Sequence, residues 1–270
     1  MTGTLFVAAT PIGNLGDFSE RARTVLASCD LIIAEDTRRM AILRACYGIE
    51  TPVESYHKFS EKEKIERYLG FLAAGKRLAL ISDAGTPAVS DPGKFLVAAA
   101  LDRGFHVSPL PGPSAAATAF SVSGMSADRF LFAGFLPATG AQRERDLEKL
   151  LAVGLPVVFY EAPTRIRDLL ERLVVRCERI VVCRELTKKH EEVFLYRGGT
   201  VTERGEFTVV AAPHLAPLRT VPPPDEERDR ILATLSAKDA VTLLIRLYPD
   251  ISPNRLKSWF YRQRHTLQKA

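Results

Sequence analysis

Along the first 117 residues, short apolar runs alternate with longer stretches of helical periodicity. Leu5–Ala9 precedes a helical pattern from Phe18 to Ala27, and Leu31–Ala34 precedes one from Arg38 to Cys46. Arg77–Ser82 precedes a third, from Lys94 to Leu101, and Phe105–Leu110 reads as a further strand. This rhythm predicts βαβ units and a mainly parallel sheet. Asp17 and Glu20, three residues apart, fit the pair that closes a helix N-terminus. Lys58 to Leu72, rich in Glu and Lys, predicts a solvated amphipathic helix.

The pattern restarts after Met125–Arg129 with Phe130–Ala133 and a charged segment, Arg143 to Lys149. Val157–Tyr160, a helical stretch from Thr164 to Val175, Ile180–Cys183 and Phe207–Ala212 continue it. Gly198-Gly199-Thr200 and Arg204-Gly205-Glu206 read as turns. Val221-Pro222-Pro223-Pro224-Asp225 is a stiff linker. Three short helical segments follow, Glu226–Ser236, Lys238–Leu247 and Pro253–Gln263, with the proportions of a helix-turn-helix-like appendage. The expected organisation is an α/β domain over 1–117, a second over 118–220 and a helical unit over 225–270.

The strand ends carry the first chemical signal. Arg77–Ser82 empties into Asp83-Ala84-Gly85-Thr86-Pro87 and continues to Asp91-Pro92-Gly93. Leu5–Ala9 empties into Thr10-Pro11-Ile12-Gly13-Asn14-Leu15-Gly16-Asp17, and Phe105–Leu110 into Pro111-Gly112-Pro113-Ser114. Open α/β sheets bind ligands at the carboxyl ends of their strands, where such loops offer backbone N–H and C=O groups. Each loop alone is also an ordinary turn former. Their recurrence predicts one shared rim around a small-molecule pocket.

Composition changes this picture in three ways. With 270 residues and 46% apolar content the chain can bury a substantial core. No signal-like segment opens it and no apolar run reaches membrane-spanning length, so the cytoplasm is expected, with no membrane partner. Cys29, Cys46, Cys177 and Cys183 lack C-x-x-C spacing, the first two in contexts that suit buried thiols, and the five histidines are scattered; neither a disulfide nor a metal is expected. The net charge is +5. Residues 251–270 hold Arg255, Lys257, Arg262, Arg264 and Lys269 with no acid, interleaved with Trp259, Phe260 and Tyr261. Cations mixed with aromatics suit RNA, by phosphate contact and base stacking; docking of the aromatics onto the protein is the other reading.

Thr10–Asp17, Glu35-Asp36-Thr37-Arg38, Ser82–Gly93, Pro111–Ala115, Gly134-Phe135-Leu136-Pro137, Tyr160-Glu161-Ala162-Pro163-Thr164-Arg165 and Arg184–Lys188 form an ordered series. The series resembles the ribosomal RNA small subunit methyltransferase I family of the tetrapyrrole methylase superfamily, from the first strand to about Ala212. The resemblance implies a two-domain tetrapyrrole-methylase-like α/β fold that binds S-adenosylmethionine between its domains. It also implies methyl transfer to the 2′-hydroxyl of a cytidine in 16S rRNA of the small ribosomal subunit, and a homodimer. The C-terminal unit matches the family's small helical domain only in size and character.

On this basis Pro11, Gly13, Asn14, Asp83, Ala84, Gly85, Thr86, Pro111, Gly112, Ser114, Ala115 and Ala116 are expected to bind the cofactor, the first loop equally suiting RNA contact. Glu35 and Asp36 are the candidates for a base that activates the ribose hydroxyl. Helix capping, or pairing with Arg38 and Arg39, explains them as well. Arg38, Arg165, Arg184 and Lys188, together with Arg255, Lys257, Arg262 and Arg264, are expected to hold RNA phosphates. Methylation of a tetrapyrrole intermediate on the same fold, or RNA binding without catalysis, are the competing functions. Against the first, the opening loop lacks the Gly-x-Gly-Pro-Gly-Asp-Pro pattern usual in tetrapyrrole-modifying relatives.

Overall fold

A computed structural model describes residues 2–56, 61–214, 225, 228–229, 232, 234–248, 251 and 253–267. Its contacts divide the chain into two compact units, Met1–Pro213 and His214–Ala270. The first unit holds two five-stranded sheets.

The first sheet is built from β1 (Thr4–Ala8), β2 (Leu31–Ala34), β3 (Val53–Ser55), β4 (Arg77–Ile81) and β5 (His106–Leu110), in the order β3-β2-β4-β1-β5. All of its pairings are parallel. Apolar residues on both faces of β2 and β4, and at Leu5 to Ala8 of β1, require helices on both sides. Ala8, Ile32, Ala34, Ala79 and Ile81 pack with Ala22, Leu26, Met40 and Leu43 of α1 (Glu20–Ala27) and α2 (Thr37–Tyr47). Leu5, Ile33, Leu78 and Leu80 pack on the other face with Tyr68, Leu69, Leu72, Leu96 and Ala100 of α3 (Glu61–Ala73) and α4 (Lys94–Asp102). The alternation follows from the period of two along each strand.

The second sheet is mixed. It runs β6 (Leu131–Phe135), β7 (Val157–Glu161), β10 (Phe207–Pro213), β8 (Cys177–Arg184), β9 (Glu192–Leu195), with only β6–β7 parallel. One face packs on α6 (Ala141–Ala152) and α7 (Ile166–Val174) through Leu147, Leu151, Leu169 and Leu173. The other packs on α5 (Ala115–Val122) through Ala116 and Ala119. The domain boundary expected at 117/118 therefore falls inside α5.

Several local expectations need correction. Ser19, not Asp17, caps α1 and accepts the Ala22 N–H at 3.2 Å; Asp17 sits in a one-turn 3₁₀ helix. Cys46 is exposed, whereas Cys29, Cys177 and Cys183 are buried. Burial pushes these three thiols up to about 11, 12 and 11. The start of the helix expected from Lys58 lies outside the described residues, as do most of the linker at 221–225 and much of the segment at 226–236.

In the second unit, α8 (Ala237–Leu247) and α9 (Pro253–Leu267) enclose a small core of Leu244, Tyr248, Leu256, Trp259 and Phe260. Trp259 and Phe260 are thus structural, and Tyr261 is the exposed member of that aromatic trio. Arg228 lies 5.1 Å from the Trp259 ring and donates to the Tyr248 hydroxyl at 2.8 Å. Lys257 and Arg262 are exposed on α9; the side chains of Arg255 and Arg264 lie outside the described residues. Among the described residues no helix is long and apolar enough to cross a membrane.

Candidate active site

Because the first sheet is parallel, the loops after β1, β2, β4 and β5 emerge on one edge. Ala8 stands level with Ile81 and Leu110, and Ala34 with Ile81. Main-chain bonds then lock the loops together. The Thr10 N–H donates to the Gly85 carbonyl at 2.9 Å, and the Gly85 N–H returns to the Thr10 carbonyl at 3.0 Å. The Thr10 hydroxyl donates to the Ser82 carbonyl at 3.0 Å and the Thr86 hydroxyl to the Pro113 carbonyl at 3.3 Å. Gly85 takes φ +82°, which a side chain would resist, and a Cβ on Gly112 would come within 3.0 Å of the Ala9 Cβ.

Between this edge and the second sheet lies a cavity of about 360 Å³, within the range of roughly 300–1,000 Å³ usual for small-molecule sites. The first sheet contributes Ile12, Ala84, Gly85, Thr86, Ser114 and Ala115. Val89, Ser90 and Asp91 enter from the loop after β4. That loop is strained, since Ala88 and Ser90 have φ +66° and +70° without being glycine. Ser90 packs on Gly134, where a Cβ would lie 2.7 Å from its hydroxyl oxygen. Burial pushes the Asp91 carboxyl up to about 6, helped by the charges of Glu35 and Asp83.

The second sheet contributes Phe135, Tyr160, Glu161, Phe207 and Thr208, with Glu206 just before β10. The Tyr160 ring meets Phe132 and Phe135 edge-on, and burial raises the pKa of its hydroxyl. Glu161 is fully buried, so its charge must be paired. One oxygen accepts Arg143 Nη2 at 2.7 Å; the other accepts the Ala162 N–H at 2.9 Å and Arg165 Nη2 at 2.7 Å. Arg143, 2% exposed, also donates to the Pro137 carbonyl at 3.0 Å and to Asp168 at 3.0 Å. This network gives the Gly134–Pro137 and Tyr160–Arg165 segments a shared physical basis.

Two further cavities open beside the first. One, of about 370 Å³, shares Ile12, Ala84 and Glu206 with it and adds Pro11, Gly13, Leu15, Arg39, Ile42, Leu43, Asp83 and Lys188. The other, of about 480 Å³, is lined by Glu35, Asp36, Thr37, Arg38, Ser55 and Asp83. Asp36 caps α2: its carboxylate accepts the Arg38 N–H at 2.8 Å and pairs with the Arg38 guanidinium at 2.8 Å. Those hydrogen bonds hold it down to about 2.

Of the residues expected to bind the cofactor, the structure brings Ala84, Gly85, Thr86, Ser114 and Ala115 to the first cavity, with Ala116 buried behind them. Pro11, Gly13 and Asp83 line the second cavity instead. Asn14 holds its neighbourhood, donating its N–H to the Thr187 hydroxyl at 3.0 Å. Pro111 and Gly112 belong to the rim and line none of these three cavities. Among the cations expected to meet RNA, four are ion-paired: Arg38 with Asp36, Arg165 with Glu161, Arg184 with Glu192, and Lys188 with Glu185 and Glu206. Glu161, Phe207 and Thr208 were not singled out from sequence as site residues. Among the described residues no cluster of His, Cys, Asp or Glu has the arrangement of a metal site.

The sequence model of the Tetrapyrrole (Corrin/Porphyrin) Methylases matches residues 4–202. The chain is 41% identical over 248 residues to the Ribosomal RNA small subunit methyltransferase I of Mesorhizobium japonicum, covering 87% of this chain and 82% of that one. The corresponding Haemophilus influenzae protein is 46% identical, over 77% and 73% of the two chains. The chain belongs to the ribosomal RNA small subunit methyltransferase I family. The backbone of this methyltransferase resembles uroporphyrin III C-methyl transferase from Thermus thermophilus with a TM-score of 0.55 at 15% identity, covering 77% of this chain and 97% of that one. Diphthine synthase gives 0.59 at 13%, covering 77% and 89%. At such identities the likeness speaks for the fold alone.

Membership implies S-adenosylmethionine as methyl donor, and the first cavity fits it. Asp91 lines that cavity beside the ion-paired Glu161 and Glu206, with no Lys or Arg among its described lining residues, as suits a sulfonium cation. The small residues Gly85, Ser114 and Ala115 let main chain approach a ligand closely.

Proposed function

We infer that this protein methylates the ribose 2′-oxygen of a cytidine in 16S rRNA of the small ribosomal subunit, in the cytoplasm and as a homodimer. The observation that carries this reading is 38% identity to the Ribosomal RNA small subunit methyltransferase I of Escherichia coli O157:H7, over 87% of this chain and 86% of that one.

Gly85, Thr86, Ser114 and Ala115 would hold S-adenosylmethionine, with Asp91 as the nearby anion and Pro11, Gly13, Asn14, Asp83, Ala84, Pro111, Gly112 and Ala116 shaping the loops around it. The bound donor supplies an electrophilic methyl group on a sulfonium. For the protein the task is alignment of an oxygen with that methyl, and removal of the hydroxyl proton. Asp36, engaged as a helix cap and held at about 2, is a weak base. Glu35 is therefore the stronger candidate: it lines the neighbouring cavity, close enough to Asp91 to raise its pKa. Glu35→Gln should lower kcat roughly a hundredfold or more while leaving donor affinity within twofold.

Arg38, Arg165, Arg184 and Lys188 would meet the RNA backbone by exchanging carboxylate partners for phosphates, with exposed Lys257 and Arg262, and Arg255 and Arg264, adding contacts from α9. The test is transfer of radiolabelled methyl from S-adenosylmethionine to assembled small subunits and to free 16S rRNA, with the label mapped by nuclease digestion. Label on a cytidine 2′-oxygen is the expected result. Donor binding without label on either would replace the acceptor with a small molecule such as a tetrapyrrole. RNA binding without donor binding would replace the enzyme with a binding protein.

A further inference from the structure

The second cavity shares Ala84 with the first and Asp83 with the third, and the three differ in charge. The first, assigned to the donor, has no Lys or Arg on its wall; Glu161 and Glu206 there are paired with Arg143, Arg165 and Lys188, and Asp91 has no such ion pair among the described residues. The third carries Glu35, Asp36 and Asp83 against Arg38 alone, an acidic balance that repels a phosphate. The second is different. Arg39 and Lys188 line it beside Asp83 and Glu206, and much of its remaining wall is apolar: Leu15, Ile42 and Leu43.

Leu43 also belongs to the core beneath the first sheet, but Leu15 and Ile42 are not accounted for by it. Ile42 is 60% exposed and Leu15 38% exposed, although each lies among ordered secondary structure. Arg39, Ile42 and Leu43 stand three and four residues apart on α2, so they share one helical face. The Arg39 guanidinium is half-exposed, and its charged partner among the described residues is Asp83, at 3.5 Å. That distance is long for a charge-assisted hydrogen bond, so the planar fork remains open to a phosphate.

We propose that the second cavity is the acceptor-nucleotide pocket. It takes one unstacked nucleotide, its base against Leu15, Ile42 and Leu43 and its phosphate on Arg39 and Lys188. The assignment rests on the methyltransferase reading above. In-line transfer requires an acceptor chamber that opens onto the donor's, and this cavity shares the Ile12, Ala84 and Glu206 wall with the first. Its volume of about 370 Å³ suits a single small ligand. A paired, stacked nucleotide cannot enter a chamber of that size, so the target must leave its stack to react.

Two variants test this, with unmodified small ribosomal subunits as the acceptor. Ile42→Trp fills the chamber from an exposed position, so the fold is not at risk; Arg39→Ala removes the phosphate cation. Steady-state methyl transfer should show KM for the subunits raised, or kcat/KM lowered, by roughly tenfold or more in each variant. Donor affinity by calorimetry should stay within twofold of the parent. If the parent methylates the subunits and both variants match it in KM and kcat, the pocket assignment fails while the function stands. Loss of donor binding in both variants would also overturn it, because the second cavity would then belong to the donor site. If the parent transfers no methyl to rRNA at all, the functional reading itself fails.

Discussion

Asp83 Oδ1 accepts the backbone N–H of Asp36 at 2.8 Å, joining the loop after β4 to the N-cap of α2. Its other oxygen faces Arg39. One half-buried carboxylate thus sets the separation of two adjacent loops. Asp83→Ala should destabilise the fold by about 1.5–3 kcal/mol, the range for a hydrogen bond to a charged acceptor, seen as a fall of several degrees in Tm. Asp83→Asn keeps an acceptor oxygen and should recover most of that stability. Equal Tm values for the two variants would mean that the bond to Asp36 carries none of it.

The Arg143–Glu161 pair makes a larger prediction. Both side chains are buried, and removing Arg143 strips the Glu161 oxygen it meets of its charged partner, leaving Arg165 to the other oxygen. Arg143→Met should destabilise the first unit by about 3–5 kcal/mol, measured by chemical denaturation. It should also weaken donor binding, because Tyr160, Glu161, Ala162 and Pro163 wall the first cavity. Unchanged stability would show that Arg165 alone satisfies Glu161.

Asp91 predicts a pH dependence. Burial first, then Glu35 and Asp83, raise its carboxyl from 3.8 to about 6, against a Ser82 hydrogen bond that lowers it. The Tyr160 hydroxyl, which also feels the Asp91 charge, has its own pKa raised chiefly by burial. A raised acid pKa means the folded protein holds the proton more tightly than the unfolded chain. This group's contribution to stability is therefore full below pH 3.8 and lost as pH rises through 6. Affinity for the cationic donor should run the opposite way, falling as pH drops through about 6. Asp91→Asn should flatten that calorimetric profile; an unaltered profile would place the titrating group elsewhere.

Gly13 is a steric prediction. A Cβ there would stand 2.4 Å from Lys188 Cγ, 2.8 Å from Thr187 Oγ1 and 3.0 Å from the Leu186 carbonyl oxygen. Gly13→Ala should push the opening loop off the segment at 186–188 and break the Asn14–Thr187 bond, destabilising by about 1–3 kcal/mol. Thermal unfolding reads this directly, and a Tm equal to the parent's would mean that the loop yields freely.

The strand-end rim was legible because Gly and Pro punctuate an apolar alternation, and strand ends in a parallel sheet must share an edge. What stayed hidden had no local signature. Val53–Ser55 is too short and polar to read as a strand. Ala115–Val122 buries Ala116 and Ala119 but is alanine-rich, with Ala117 and Val122 on its exposed side, so it lacks the polar face of an amphipathic surface helix. Arg143 reads as part of a solvated charged run, yet it is buried because its acceptors come from Pro137, Glu161 and Asp168. Phe207 and Thr208 reach the first cavity only through the antiparallel pairing of β10 with β7, a contact between distant parts of the chain.

The reciprocal Thr10–Gly85 bridge uses main-chain atoms alone. Exchanging side chains around it does not alter the groups that bond. The curvature of the donor rim is thus written into the polypeptide backbone, while the cationic and apolar lining of the neighbouring chamber is written into replaceable side chains such as Arg39 and Ile42. A lineage of such proteins, or an engineer, can retarget the acceptor by point substitution on α2 without rebuilding the machinery that presents the methyl group.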